Sequence, residues 1–380
     1  MRKNWLSQSV RGGLVLISMI PVAGQADIHV IPPLPADNPL SRLDLTVGGS
    51  IRPQFNHSTG VDDKSYKRNG FDGGSRFRFG ARYRINPDLS WINYYEPGVN
   101  IPAVLKWDHH YQPGAHNTTR RQMYTGLESK TWGRLTFGQQ NSIYYDVVGA
   151  KTDIWDDDML AQGPGVGING DYDGTHRARK LLKYEKSVGP VDVYAGYLFT
   201  DNNYYPGNGL AYKRQGGGSL GADYHITPQL SWGVAWSYTK AAMRNPATGQ
   251  SRDYNQNLLG TALSWKPDNW IFAMGGGWYQ NFAPTKKVTI ENYFAGSSWG
   301  TEYFAGYKFH IKHYGIKTIQ PYVMGDRLQF VSGRRYQRID NGLGISFQMA
   351  YGFRIDAEHI FTSSTDNIGD LNLVRLRYDF

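Results

Sequence analysis

Two β-strands are predicted by the segments Arg134-Leu-Thr-Phe-Gly-Gln-Gln140 and Arg177-Ala-Arg-Lys-Leu-Leu-Lys-Tyr-Glu185, in which apolar and polar side chains alternate. The connection between them has roughly 35 residues, far more than an ordinary connection, and we therefore expect a functional loop. Its middle is acidic, from Asp153 to Asp158, and its exit is glycine-rich, from Gly163 to Gly174. An acidic loop beside an arginine-bearing strand needs a space where both meet water. The inside of a wide β-barrel provides such a space.

Alternation recurs along most of the chain. Its clearest instance has Phe77, Phe79, Ala81, Tyr83 and Ile85 opposing Arg76, Arg78, Arg82 and Arg84. A row of arginines is improbable in a dry core. It is ordinary in a membrane barrel, where one face of each strand meets lipid and the other meets water. In the segment that ends at Glu185, alternation predicts that Arg177, Arg179 and Lys183 share the polar face.

Connections between the predicted strands are of two kinds. Short turns recur, for example at Asn86-Pro-Asp88 and Thr227-Pro-Gln229, and contain turn-forming residues. The alternate connections are long and polar, for example 57–74, 241–253 and 282–300. One rim of short turns and one rim of long loops is typical of bacterial outer-membrane barrels.

These patterns predict an all-β fold, a 16-stranded antiparallel transmembrane β-barrel whose third extracellular loop folds inward. The predicted strands are 44–56, 75–86, 89–109, 118–129, 133–140, 176–186, 190–200, 214–226, 229–240, 254–266, 269–281, 301–312, 315–331, 338–349, 351–362 and 370–380. Pro97 and Pro102 interrupt the third of them. Beyond residue 26, no apolar run approaches the ~20 residues of a membrane helix.

Residues 1–26 are predicted to be a secretory signal peptide. Arg2 and Lys3 supply the positive start, Gly13 to Ile20 the apolar run, and the small residues up to Ala26 a cleavage site. Residues 27–380 are then a single barrel domain. The formal net charge is +9 for the whole chain, and removal of the three cations of the signal peptide leaves about +6. The chain contains no cysteine.

The last strand carries the first sign of a family. Val374, Leu376, Tyr378 and Phe380 lie on one face, with an aromatic residue at the very terminus. This ending resembles the assembly signal of outer-membrane barrels, and residues 43–380 resemble the general trimeric porins of enterobacterial type. The local matches are Ile85-Asn86, Gly126-Leu127, Tyr145-Asp146 and Thr152-Asp153.

The resemblance implies a pore constriction between arginines on the barrel wall and carboxylates on the third loop. Carried over one residue at a time, the wall arginines are Arg76, Arg121 and Arg177, and the loop carboxylates are Asp153 and Asp157. The basic residue expected in the first strand aligns with Gly48, so Arg52 on the same face is a substitute. The Pro-Glu-Phe-Gly-Gly turn of the family's loop is replaced by Trp155-Asp-Asp-Asp-Met159. Further lumen charges are expected at Arg52, Arg78, Arg179 and Asp156.

Opposite charges across a narrow lumen create a transverse field that orders water. Apolar solutes must disrupt that water, whereas small polar solutes exchange hydrogen bonds with it. The resemblance therefore implies passive diffusion of ions and small hydrophilic solutes, with no catalytic site, cofactor or metal. An alternative is a substrate-selective channel for anionic oligosaccharides, which would use Arg78, Arg82, Arg84 and Arg179 as a track. A divalent-cation site at Asp156-Asp-Asp158 is disfavoured because adjacent side chains diverge.

The expected partners follow from the same reading. The resemblance implies a homotrimer in the outer membrane, with the barrel assembly machinery recognising the C-terminal strand. Outer-membrane lipid surrounds the barrel, and anionic lipopolysaccharide is a natural counter-charge for the basic loop residues Lys64, Lys67 and Arg68. Nucleic acid is not expected, because export and alternation account for the basic charge. An outer-membrane enzyme would need a nucleophile and a base at one rim, and the sequence offers no such set.

Overall fold

The computed structural model describes residues 27–31, 34, 38–59, 65–157, 160–285, 289–313 and 315–380. The predicted signal peptide, residues 1–26, therefore lies outside the described residues. So do Lys64 and Asp158. Among the described residues, no helix is long and apolar enough to cross a membrane.

Sixteen long strands form one sheet within the described part of the chain. They are β1 (Leu43–Ile51, continued as Pro53–Ser58), β2 (Arg76–Arg84), β3 (Leu89–Val99), β4 (Thr118–Ser129), β5 (Gly133–Asn141), β6 (Arg177–Val188), β7 (Val191–Leu198), β8 (Leu210–Thr227), β9 (Leu230–Arg244), β10 (Ser251–Trp265), β11 (Trp270–Gln280), β12 (Ser297–Tyr307), β13 (Ile316–Phe330), β14 (Gln337–Met349), β15 (Phe353–Ser364) and β16 (Leu371–Asp379). Each pairs antiparallel with its neighbours in sequence. The predicted number and order of strands are confirmed.

Short elements complete the chain. Short strands lie at Ile28–His29, Phe71–Asp72, Tyr204–Gly207 and Phe309–His313. Helical turns lie at Pro39–Arg42, Ser65–Arg68, Ile101–Val104, Tyr145–Gly149, Ala150–Thr152, Gly163–Val166, Gly170–Asp173 and Ala350–Gly352. Of these turns, Ser65–Arg68 lies between β1 and β2, Ile101–Val104 between β3 and β4, and Ala350–Gly352 between β14 and β15.

The barrel closes where β16 meets β1. Val374 pairs with Phe55, and Ser50 pairs with Asp379. Below the end of β16, the edge of β1 is taken by the N-terminal residues Ile28–His29, which pair with Val47 and Thr46. Because every long edge is paired, the backbone hydrogen bonds of the wall are satisfied within the protein, as a lipid environment requires.

Large apolar side chains point outward from the wall. Phe79, Trp91, Leu127, Leu259 and Phe361 are all exposed. The charged side chains of the same strands point into the lumen, for example Arg82, which forms an ion pair with Glu128 at 2.6 Å. This arrangement confirms the predicted division into a lipid face and a lumen face.

Several strand boundaries differ from the prediction. The third strand ends at Val99 instead of 109, because the Asn100 side chain caps a helical turn, Ile101–Val104, with a proline in its first turn. The predicted long loop 241–253 is largely sheet, because β9 and β10 continue to Arg244 and from Ser251. A polar sequence therefore did not distinguish a loop from strands that extend above the membrane.

The alternation of β6 changes phase at Lys180. This residue has φ of +50°, and the pairing of β5 with β6 shifts between Gly138 and Gln140. Lys183 faces the lumen as predicted. Arg179 stacks on the ring of Tyr172, in the connection between β5 and β6, at 4.5 Å and pairs with Asp201 at 2.9 Å. Its expected role as a lumen charge stays a prediction.

Part of the barrel interior is a packed apolar core. The connection between β5 and β6 contributes Ile143, Tyr144, Val147 and Val148, and the β11–β12 loop contributes Phe282 and Ala295. These side chains pack on inward-facing residues of β9, β10 and β11, such as Leu258 and Tyr279. Water-filled space is therefore confined to the rest of the lumen.

Deletion of Phe380 should reduce the amount of folded barrel in the outer membrane. Phe380 exchanges two backbone hydrogen bonds with Gly49, at 2.7 and 3.1 Å, and its ring packs on Phe77 and Tyr378. A Cβ at Gly49 would collide with that ring. Quantitative blotting of outer-membrane fractions should show a several-fold loss for the deletion and little change for Phe380→Tyr. Equal levels of all three proteins would show that the closing aromatic is dispensable.

Candidate functional site

The connection between β5 and β6, residues 142–176, runs along the inner face of the barrel and is here called the constriction loop. Its first half is fastened by Lys151, whose Nζ lies 2.7 Å from Asp223 Oδ2 and 2.6 Å from Ser231 Oγ. Trp155 is buried against Phe304 and Tyr322 of β12 and β13. These contacts fasten the loop to β8, β9, β12 and β13.

A row of glycines on the wall makes room for this loop. Gly260, Gly277 and Gly300 are direct cross-strand neighbours on β10, β11 and β12. A Cβ on Gly260 would overlap the Tyr144 hydroxyl, and one on Gly300 would overlap the Ala161 carbonyl. The glycines are visible in the sequence of each strand. Only the register of the strands shows that they lie side by side and leave room for the loop.

The tip of the loop is held by wall carboxylates and one arginine. Glu358 on β15 accepts hydrogen bonds from the backbone N–H groups of Asp156 at 2.7 Å and Asp157 at 3.3 Å. Glu302 on β12 accepts two more from Ala161 and Gln162, at 3.1 and 2.9 Å. Arg375 on β16 binds the Asp156 side chain at 2.5 Å and its carbonyl oxygen at 3.0 Å. Sequence reasoning missed Glu302, Glu358 and Arg375.

The strands outside the span from β8 to β15 carry a basic wall, defined as the six arginines Arg375, Arg377, Arg52, Arg76, Arg121 and Arg177. They lie on β16, at the interruption of β1, and on β2, β4 and β6. Arg76 interacts electrostatically with Arg121, Arg177 and Arg377, and Arg52 with Arg76, Arg375 and Arg377. The three arginines predicted from the resemblance thus lie together, and the structure extends their row to β1 and β16.

Arg121 reaches this row through two local features. The pairing of β3 with β4 shifts between Glu96 and Pro97, which turns Arg121 inward and leaves Arg120 on the outer side. Gly98, the cross-strand partner of Arg76, has no side chain, and a Cβ there would lie 3.2 Å from Arg121 Cδ. Simple alternation would place Arg121 on the same face as Met123 and Leu127, which are exposed on the outer wall. The bulge that turns Arg121 inward is not visible in the sequence.

The carboxylates beside these arginines are different from the predicted ones. Glu96 lies 2.6 Å from Arg121 Nε, and Asp171, at the loop exit, lies 3.5 Å from Arg177 Nε. Asp153 accepts a hydrogen bond from Tyr145, whose ring packs on His176 at 4.6 Å. Asp157 has Arg338, Arg375 and Asp340 as charged neighbours. The expected opposition of Asp153 and Asp157 to the three arginines stays a prediction.

The remaining predicted charges have other partners. Arg78 forms an ion pair with Asp27 at 2.9 Å, so the N-terminal segment neutralises it. Asp156 forms an ion pair with Arg375, which helps to hold the loop tip against β16. Arg52 donates a 2.7 Å hydrogen bond to Ser50 Oγ.

Burial alters the titration of several loop groups. It raises the pKa of Asp157 and of Asp171, although nearby arginines oppose the rise. It raises the pKa of Asp173 to about 7, against hydrogen bonds from Thr175 and Asn169. Burial, with the adjacent Arg177, holds the pKa of His176 well below its usual value. His176 is therefore neutral at physiological pH and contributes no charge beside the basic wall.

Comparison with known proteins adds the family. The family model described as Gram-negative porin matches residues 13–318. The chain belongs to the Gram-negative porin family. No curated protein matches the porin in sequence.

Solved structures share the fold of this porin. OmpF of Salmonella typhi, in a complex with daunomycin, superposes with a TM-score of 0.65 at 15% identity, covering 89% of this chain and 98% of OmpF. The outer-membrane channel DcaP of Acinetobacter baumannii gives 0.62 at 9% identity, covering 89% and 97%. A loop-deleted OmpT of Vibrio cholerae gives 0.60 at 13% identity, covering 89% and 100%. At such identities the likeness concerns the fold alone.

Family and architecture together define the activity. The protein is an outer-membrane porin, whose barrel crosses the membrane and forms a channel for passive diffusion of ions and small hydrophilic solutes. The predicted localisation in the outer membrane is confirmed.

Proposed function

We propose that solutes pass between the constriction loop and the basic wall, and that these two surfaces set the size and charge of the pore. The observation that carries this proposal is their arrangement. The loop fills the side from β8 to β15, and the lumen that remains is bordered by Arg52, Arg76, Arg121 and Arg177. Passage needs no catalytic step, since a transverse field acts on each solute as it moves.

Acidic groups complete the field on the loop side. Asp171 lies near Arg177, and Asp153 lies beyond Tyr145 and His176. Arg76, Arg121, Arg177, Asp153 and Asp157 keep their proposed role as constriction charges, with Glu96 and Asp171 added. Small polar solutes exchange hydrogen bonds with these groups. Apolar solutes displace the water that the field orders and offer no hydrogen bonds in its place.

We also propose that the porin is a homotrimer whose copies meet at an outer groove. This groove, of about 880 Å³, is lined by outward side chains of β1 to β5, among them Val47, Phe79, Tyr95, Met123 and Phe137. Asn93, Arg120 and Gln139 also line it. Arg120 and Gln139 hydrogen-bond to each other at 2.8 Å, and a second copy of the chain would fill the groove and shield these polar groups from hydrocarbon.

Further contacts belong to the same proposal. The C-terminal strand is the part that the barrel assembly machinery would recognise. Lipopolysaccharide phosphates would bind basic residues of the extracellular loops, such as Lys67 and Arg68, which lie in the helical turn Ser65–Arg68.

Planar-bilayer recording of the purified protein tests the channel and its assembly together. We expect stepwise insertion of open channels whose conductance grows with salt concentration and whose closures come in three equal sub-steps. Neutral sugars of increasing size should cease to permeate at a sharp limit. Absence of any conductance would refute the proposed function, and single-step closure would refute the trimer alone.

A further inference from the structure

An apolar row with three tryptophans crosses the outer face of the wall near its extracellular end. Trp236, Leu259 and Trp278 are exposed and are direct cross-strand neighbours on β9, β10 and β11. Trp299 on β12 continues the row beside Trp278. Aromatic rows of this kind mark the boundary between lipid tails and headgroups on outer-membrane barrels. The row therefore gives the level at which headgroups of the outer leaflet meet the wall.

The same row becomes polar on β13 and β14. Gln329 is the cross-strand partner of Trp299, and Gln337 is the partner of Gln329. Arg327 stands two residues before Gln329 on the same face of β13, one step toward the middle of the membrane. Val323, lower on that face, is exposed, which identifies it as the outer face. Trp299, Arg327, Gln329 and Gln337 are here called the outer patch.

Arg327 is held in the outer patch without a counter-charge. Its guanidinium lies over the ring of Trp299, 5.2 Å from the ring centre. Its Nη2 group donates to the amide oxygens of Gln337 at 3.2 Å and Gln329 at 3.4 Å. Its Nε group is buried and has no hydrogen-bond partner. Within the part of the chain that the structure describes, Arg327 forms no ion pair, so the protein compensates its charge only in part.

A positive charge at this level needs an anionic partner from the membrane. Hydrocarbon does not solvate a charged side chain on the lipid face of a barrel, and the cost falls as the side chain approaches the headgroups. Two amide oxygens and one ring face provide part of the missing solvation. A phosphate group would provide the rest, because guanidinium donors match phosphate oxygens in both charge and geometry.

We propose that the outer patch binds one lipopolysaccharide molecule of the outer leaflet, with Arg327 on a phosphate of its lipid A headgroup. The inference rests on the proposed function, which surrounds the barrel with this lipid, and it adds a site on the wall to the loop contacts proposed above. The patch lies on β12 to β14, outside the stretch from β1 to β5 where a second copy is proposed to bind. Lipid therefore reaches it in the trimer as well.

The test counts the lipid molecules bound to the purified porin by native mass spectrometry while diphosphoryl lipid A is titrated. We expect one saturable copy per chain at the outer patch. In Arg327→Gln the half-saturating concentration for that copy should rise about tenfold, the effect of losing one charge-assisted contact. Arg327→Lys should bind with intermediate affinity, because an ammonium group keeps the charge but lacks the paired geometry.

The matched control is Lys240→Gln, which removes an outward cation on β9 that lies 3.6 Å from Asp253. This variant should bind lipid A as the wild type does, because Lys240 already has a carboxylate partner. Equal weakening in Lys240→Gln, or undiminished binding in Arg327→Gln, would overturn the site. Equally tight binding of phosphatidylglycerol at the patch would overturn its assignment to lipopolysaccharide.

Channel recording separates this inference from the proposed function. Arg327 lies on the outer face of the wall, so Arg327→Gln should keep the conductance and the three-step closure of the wild type. Heat-modifiable migration on a gel checks that the barrel of the variant is folded. A wild-type porin that conducts normally but retains no lipid A would refute the site alone.

Discussion

Replacement of Glu358 by alanine should release the tip of the constriction loop and raise both the conductance and the exclusion limit of the pore. Glu358 accepts hydrogen bonds from two loop N–H groups and from the Tyr322 hydroxyl, the last at 2.8 Å. A hydrogen bond to a charged group contributes about 1.5–3 kcal/mol. Loss of both hydrogen bonds should therefore be enough to make the loop tip mobile.

The second anchor, Glu302, should act additively. Glu302 and Glu358 bind different parts of the tip, on either side of residues 158–159. The double variant Glu302→Ala with Glu358→Ala should give the largest open-channel current noise and admit the largest neutral sugars. Single-channel recording at high salt measures the conductance, the current noise and the exclusion limit. High salt screens the effect of the lost charges, so that the remaining changes report the geometry of the pore.

Glu128→Ala is the matched control for the loop-tip experiment. It removes a lumen glutamate on β4 that is paired with Arg82. Conductance, noise and exclusion limit should stay close to wild type. If Glu302→Ala with Glu358→Ala behaved like this control, the loop would be held by its apolar packing and the carboxylates would be incidental.

Neutralising the arginines or the carboxylates of the constriction should shift ion selectivity in opposite directions. Arg121→Gln with Arg177→Gln should move the reversal potential toward cations and widen the pore, because both side chains shrink. Glu96→Gln with Asp171→Asn should move it toward anions. At 4 Å and an effective dielectric of 20, one such pair interacts by about 4 kcal/mol before solvation is counted.

The loop aspartates supply an internal comparison for the selectivity experiment. Asp153→Asn with Asp157→Asn should also shift selectivity toward anions, but less than Glu96→Gln with Asp171→Asn. Asp153 accepts a hydrogen bond from Tyr145, and Asp157 lies near Arg338, whereas Glu96 and Asp171 form ion pairs with Arg121 and Arg177. Reversal potentials in a KCl gradient at low ionic strength report all of these variants. Identical selectivity in every variant would show that these groups are merely solvated lumen charges.

Alternation in the sequence was sufficient for the barrel itself. Phe77 to Ile85 opposing arginines, and Val374 to Phe380 on one face, determine which side of each strand meets lipid, because side chains along a strand point alternately to its two faces. Strand number and order follow from the repetition of that pattern. Arg76, Arg121 and Arg177 were identified by resemblance alone, and their proximity depends on the antiparallel order of β2, β4 and β6.

Register, bulges and long-range contacts were decided only by the tertiary structure. A shift of pairing near Lys180 interrupts the alternation of β6, and a shift beside Pro97 turns Arg121 inward. Glu302, Glu358 and Arg375 lie more than a hundred residues from the loop that they hold. Alternation has a period of two residues and carries no information about which residue of a distant strand stands opposite. The side of the lumen that the loop fills follows from packing between segments far apart in the chain.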